Sequence, residues 1–241
     1  VSEFAKYAGS YRGNRRSYTT WEKLLALAGD FEVSVSPAGG VVIPTLPGKF
    51  QRLVPTAVEG VFQSVDDPDA VIAFREDDNG NVTHVFLSPI VAHEKLGVLA
   101  SGKTHQIVLG IALVVFVWVV FGSIKRAKRI LALPKGEKSA RLSVFFACLL
   151  NVVFVVVLVS AVAAGINTLI FTGLPGATFV LSIPVLAAAF SVWSLIQLPG
   201  VWSKNFWAFW PRVRYTIIVL LLVLFAVILN YWNVLGPWYA S

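Results

Sequence analysis

"HQIVLGIALVVFVWVVFGSI" (residues 105–124) runs for twenty residues without Asp, Glu, Lys or Arg. A helix that crosses the hydrocarbon core of a bilayer needs about 20 mainly apolar residues. This stretch meets that length, and three later ones do as well: 142–166, 177–198 and 215–235. About a hundred polar, patterned residues precede the first of them, which excludes its reading as a removable leader. The sequence therefore predicts four transmembrane helices in 105–241.

Composition agrees. Hydrophobic residues make up 56% of the 241 and charged residues 14%, against about 45–50% and about 25% in soluble domains. Residues 1–104 carry ten Lys/Arg against twelve Asp/Glu, whereas 105–241 carry ten against the single acid Glu137. The net +7 thus belongs to the apolar half, where it reads as membrane topology and not as a face for nucleic acid. Cys148 is the one cysteine and lies in an apolar run, so neither a disulfide framework nor a cysteine metal cluster can be built. The chain holds no methionine, which favours an internal or matured piece of a longer polypeptide.

Charge in the connections sets the direction. Residues 125–141 hold seven Lys/Arg and 199–214 hold three, while 167–176 and the tail after Asn233 hold none. Cationic loops stay in the cytoplasm, so the expectation is a multi-pass protein of a bacterial cytoplasmic (inner) membrane with both termini outside. Trp202, Trp207 and Trp210 near the second cationic loop, and Trp232 and Trp238 near the last span, read as aromatic belts at the headgroup level. "VWSKNFWAFWPRVR" (201–214) also fits an in-plane segment that grips a lipid or a partner helix. No span contains an Asp, Glu, Lys or Arg that would serve transport; Asn151, Asn230, Ser160, Ser182 and Ser191 fit hydrogen bonds within a helix bundle.

Residues 1–96 carry a different rhythm. "FEVSVS" (31–36) alternates Phe31, Val33 and Val35, and turn signals recur at "SPAGG", "LPGK", "DDPDA" and "DDNGN". In "NVTHVFLS" (81–88), Val82, His84 and Phe86 are expected on one face and Thr83, Val85 and Leu87 on the other. "TTWEKLLALAG" (19–29) fits a short helix, capped by Thr19 or Thr20 and stopped at Gly29, or an extended cover. The predicted architecture is an α+β membrane protein: a small antiparallel β domain over 1–96, a partial barrel of six to eight strands, then a linker at 97–104 and a four-helix transmembrane bundle over 105–241.

Candidate chemistry is thin. "GVLASGKT" (97–104) satisfies the phosphate-cradling pattern G-x-x-x-x-G-K-[ST], but the next helix enters the bilayer instead of packing on a parallel sheet, so a Gly/Ser linker reads better. His84, His93 and His105 are scattered, and "DDPD" and "EDDNGN" lack calcium-loop spacing and read as hairpin turns. No G-x-S-x-G and no S-x-x-K occurs. The expectation is no catalytic constellation, no cofactor and no metal within this chain.

"YAGSYRGNRRSYTTWEKLL" (7–25), with "AFREDDNGNVTHVFL" (73–87), resembles the region just after the catalytic domain in membrane-bound bacterial serine hydrolases of the β-lactamase/penicillin-binding-protein-like family. Tyr7, Gly9, Tyr11, Arg12, Arg15, Arg16, Ser17 and Tyr18 carry the first block; Phe74, Arg75, Asp77, Gly80, Val82 and Phe86 carry the second. The resemblance implies a small β domain and a multi-span tail behind an upstream hydrolase domain that holds the S-x-x-K and Y-x-N motifs. It implies a membrane-anchoring, non-catalytic role, with an accessory or assembly subunit of a larger membrane complex as the rival. Arg12, Arg15, Arg16, Tyr18 and Arg75 are the candidate docking residues for that domain or another subunit, with Glu76 and Asp77 as possible partners of the arginines. A solvated, internally paired cluster is the plainer reading.

Overall fold

The computed structural model describes residues 2–240 except 47, 89, 166–168 and 170–172. It divides into two compact units: Val1–Ser17 with Leu25–Gln106, and Tyr18–Leu24 with Ile107–Ser241.

The first unit is an eight-stranded antiparallel barrel in simple up-and-down order. Its strands are β1 (Gly9–Gly13), β2 (Phe31–Val35), β3 (Val41–Leu46), β4 (Lys49–Pro55), β5 (Val61–Ser64), β6 (Val71–Glu76), β7 (Val82–Ser88) and β8 (Val91–Leu96). The barrel is closed, which corrects the expected partial barrel. β1 makes the difference. It pairs with β2 on one side (Tyr11↔Phe31) and with β8 on the other, from Ser10↔Leu96 to Gly13↔His93. "GSYRG" has no hydrophobic alternation, because Tyr11 and the adjacent Arg12 are both buried. Pattern reading therefore misses this strand and leaves an open edge; β1 closes the sheet and removes both edges.

Tyr7, Tyr11, Val33, Leu53, Phe62 and Phe74 lead the barrel core. Tyr7 packs edge-on against Phe62 at 5.0 Å, and Tyr11 stacks on Phe31 at 5.8 Å. The Tyr11 hydroxyl donates to the Tyr7 carbonyl at 2.7 Å, which satisfies the one polar atom that aromatic packing would strand. In β7 the expected faces are wrong in one respect. Val82 and Val85 are the buried pair, because a bulge puts one extra residue between Arg75↔His84 and Glu76↔Val82 and resets the alternation. Gly40, at the β2–β3 turn, has φ +81°, and a Cβ there would collide with the Leu53 carbonyl.

Trp21–Ala28 is helical as expected, but wound as a 3-10 helix. Its first residues belong to the second unit.

That unit contains α1 (Gly102–Lys125, apart from its first turn), α2 (Ala127–Leu131), α3 (Lys135–Ala164), α4 (Ala177–Ser203) and α5 (Phe209–Tyr231). α1, α3, α4 and α5 are long and apolar enough to cross a membrane. Helix outlasts hydrophobicity at the charged ends: α3 starts at Lys135, seven residues before the apolar run at 142, and α4 continues past Pro199. Lys and Glu are good helix formers, so cations expected in loops sit largely on helical turns. Only Lys204–Ala208 separates α4 from α5, and the 201–214 segment forms no helix of its own there. Much of the expected 167–176 connection lies outside the described residues.

Asn151, Ser182 and Ser191 hydrogen-bond back to carbonyls four residues earlier in their own helices. Buried polar contact between helices comes instead from Ser143, Ser194, Gln197 and Tyr215. Ser194 donates to Ser143 at 2.8 Å, Gln197 reaches Ser143 at 3.2 Å, and the Tyr215 hydroxyl donates to the Ser194 carbonyl at 2.9 Å. These link α3, α4 and α5. Tyr18–Leu24 lies against the end of α5: Asn233, at φ +58°, donates to the carbonyls of Tyr18 (2.9 Å) and Thr20 (3.3 Å), and the Lys23 ammonium sits 4.5 Å from the Tyr231 ring centre.

Candidate functional site

The most specific arrangement in the barrel unit is at its rim, where the chain leaves β8 and winds the first turn of α1. Arg12, on β1, is almost fully buried. Its Nε donates to Asp30 Oδ1 at 2.6 Å and its Nη2 to Asp30 Oδ2 at 2.7 Å, a two-pronged pairing that matches the planar fork to the carboxylate. Nη2 also donates to the Ala100 carbonyl at 3.0 Å. The backbone N–H of Gly102 donates to Asp30 Oδ2 at 2.6 Å. One carboxylate therefore neutralises a buried guanidinium and caps the positive end of α1.

Glycine is required at 102: a Cβ would lie 2.5 Å from the Leu27 carbonyl oxygen and 2.9 Å from Asp30 Oδ2. Gln106 Nε2 donates to the same Leu27 carbonyl at 2.8 Å. The remaining groups of "SGKT" are engaged locally. Thr104 donates its amide to Ser101 Oγ and its hydroxyl to the Val98 carbonyl, and Lys103 reaches Glu32 at 3.1 Å. The expected linker at 97–104 is a 3-10 turn (Val98–Ala100) running into helix from Gly102. Asp30 stands where a phosphate-cradling loop would hold its anion.

The candidate docking residues do not form one cluster. Arg12 is interior and offers no surface to a partner. Arg15 and Arg75 are exposed, and Arg16 pairs with Glu94 at 2.5 Å on β8. Tyr18 is exposed and belongs to the helical unit. The expected partnership of the arginines with Glu76 and Asp77 is replaced by others. Glu76 accepts from Lys6 (2.7 Å) and from the Tyr7 hydroxyl (3.0 Å), and the Lys6 hydrogen bond holds its carboxyl below the usual range. Asp77 accepts the amides of Asn79 and Asn81, chiefly Asn81, which lowers its carboxyl too. Ser64 and Asp67 cap the other acidic segment in the same way. Both acidic stretches are hairpin turns.

His93 packs edge-on against Phe31 at 5.0 Å, and burial pushes its imidazole down from the ordinary value. Burial likewise pushes the Tyr11 phenol up. Of the expected aromatic belt, Trp210 and Trp238 are well exposed and Trp202 partly so. Trp202 donates to Thr216 at 3.1 Å and lies under the Arg212 guanidinium. Trp232 is fully buried in the helical unit, which corrects its reading as an exposed interfacial ring. Asp30 went unnoticed in the sequence: it follows the helix-stopping Gly29 and precedes an alternating strand, and nothing local names a partner eighteen positions away.

No protein-family model, curated protein or solved structure matches this chain.

Proposed function

We propose that this chain is the membrane-anchoring, non-catalytic part of a β-lactamase-related serine hydrolase, with its barrel positioning the catalytic domain outside the cytoplasmic membrane. The buried Arg12–Asp30–Gly102 clamp carries the reading: the barrel unit takes in the first turn of the first apolar helix and holds it by hydrogen bonds, so this turn is part of the barrel's own fold. Tyr7, Tyr11 and Arg12, three of the eight residues that carry the family resemblance of the opening, help build the barrel core and the clamp. The resemblance is thus one of a folding unit, and it brings no nucleophile with it. Exposed Arg15 and Arg75 are the groups left to meet a partner. The cationic turns around 125–141 and 199–214 support an inner placement for themselves and an outer one for the barrel.

The test is to isolate the polypeptide that bears these residues from native membranes, treat it with a fluorophosphonate and map the adduct. The reading expects an adduct on a serine of an S-x-x-K motif, in the same polypeptide or in a stably bound fragment encoded in the same frame. Absence of such a domain, together with a stoichiometric membrane protein of another type, would replace the hydrolase with an accessory subunit.

A further inference from the structure

The cationic residues do more than mark one end of the helices. α1, α2, α3 and α5 line an open cavity of about 350 Å³. Arg126, Arg129, Arg141 and Arg214 line it, and no acid does. None of these four guanidiniums makes a side-chain hydrogen bond or ion pair among the described residues. Glu137, the one acid in 105–241, lies a turn before Arg141 on the same helix and outside the cavity lining.

Two of the arginines are held by aromatic faces. The Arg141 guanidinium is 4.2 Å from the Trp207 ring centre, and that of Arg214 is 5.1 Å from the Trp118 ring centre. Stacking fixes the plane of a guanidinium while leaving its N–H edges free to donate. Trp207 supplies an additional donor: its indole Nε1 is buried and has no partner among the described residues. The remaining wall is mostly apolar, with Ile130, Val144 and Ile218, and carries Ser123 and Tyr215 besides.

A cavity that gathers four guanidiniums without an acidic partner and an unsatisfied N–H, with apolar side chains on its other wall, is built for a multiply charged oxyanion. Carboxylates offer two oxygens in one plane; a phosphate group offers three or more in a tetrahedron, which suits forks arriving from separate helices. We propose that this cavity binds a phosphate group, contributed by an anionic lipid headgroup or by a soluble phosphate. Trp118 and the apolar wall lie along the helices where the chains of a bound lipid would run.

The full chain, purified in a neutral detergent, is titrated with vesicles of phosphatidylcholine containing 10 mol% phosphatidylglycerol or cardiolipin, with pure phosphatidylcholine vesicles, and separately with inorganic phosphate and pyrophosphate. Binding is read from tryptophan fluorescence. The variants are Arg141→Gln with Arg214→Gln inside the cavity and, as an equal loss of charge outside it, Lys128→Gln with Lys138→Gln. Loss of two charge-assisted contacts predicts at least about tenfold weaker binding for the cavity pair, with less than about twofold change for the lysine pair. Trp207→Phe keeps an aromatic ring for Arg141 to stack on while removing the N–H, and a loss of about threefold is expected from one weaker neutral donor; it also serves if the double variant does not fold. Saturation by anionic vesicles without competition from inorganic phosphate assigns the group to a lipid, and saturable binding of pyrophosphate assigns it to a soluble ligand. Equal losses for the cavity and lysine pairs would mean diffuse attraction, and absence of saturable binding in every arm would likewise overturn the proposal.

Discussion

Replacing Arg12 by methionine leaves the Asp30 carboxylate buried at the barrel rim, with the Gly102 amide as its remaining hydrogen-bond donor among the described residues. The side chains of Arg12 and Asp30 are 2% and 10% exposed, so the pair is desolvated on both sides. Removing one member of such a pair costs about 3–5 kcal/mol. The relevant opening is local, since β1 and the first turn of α1 share the clamp. The assay is amide hydrogen exchange in the full chain, followed in Gly9–Gly13 and Gly102–Gln106. A loss of about 3–5 kcal/mol accelerates exchange there by roughly 10²–10⁴-fold. Adding Asp30→Asn removes the stranded charge while keeping an oxygen for the Gly102 amide, so the double variant is expected to regain about 1–2 kcal/mol. Strictly additive costs, or a loss below about 1 kcal/mol in Arg12→Met, would refute the clamp.

Three further outcomes follow from the same contacts. His93 has a lowered pKa from burial, so the unfolded chain takes up a proton that the folded site resists. The stability of β8 is then full above the ordinary histidine value near about 6.5 and falls as pH drops below it; His93→Gln should flatten that step in exchange protection. Gly40→Ala meets both a positive φ and the Leu53 carbonyl, and should lower the thermal midpoint of the barrel by the equivalent of about 1–3 kcal/mol or more. Asn233→Ala deletes two donors to the carbonyls of Tyr18 and Thr20, about 2 kcal/mol, and should make trypsin cut after Lys23 roughly thirtyfold faster; an unchanged rate would mean that Tyr18–Leu24 is held by other contacts.

The four spans were legible because a bilayer imposes length and polarity at once, and no soluble element mimics twenty uncharged residues. Their ends were not, because Lys135, Glu137 and Lys138 lengthen α3 through intrinsic helix preference that hydropathy ignores. In the barrel, turn chemistry marked the hairpins at Asp77–Asn81 and Ser64–Ala70 well, since the capping side chains are local. β1 was hidden because its burial is by pairing: Arg12 is interior only with Asp30 beside it, a fact of tertiary structure. The β7 bulge was hidden for a similar reason, as register belongs to two strands and not to one. Arg126, Arg129, Arg141 and Arg214 were read as topology alone, because a count of charges does not say that they face one space.

The placement of the barrel opposite the cationic turns is what the proposed role depends on. With Cys148→Ala as background, Asp78→Cys sits at the tip of the β6–β7 hairpin and Lys128→Cys on α2. Intact spheroplasts treated with a membrane-impermeant maleimide should label the Asp78→Cys protein fully and the Lys128→Cys protein only after permeabilisation. Labelling of Lys128→Cys in intact cells, with Asp78→Cys protected, would contradict the account.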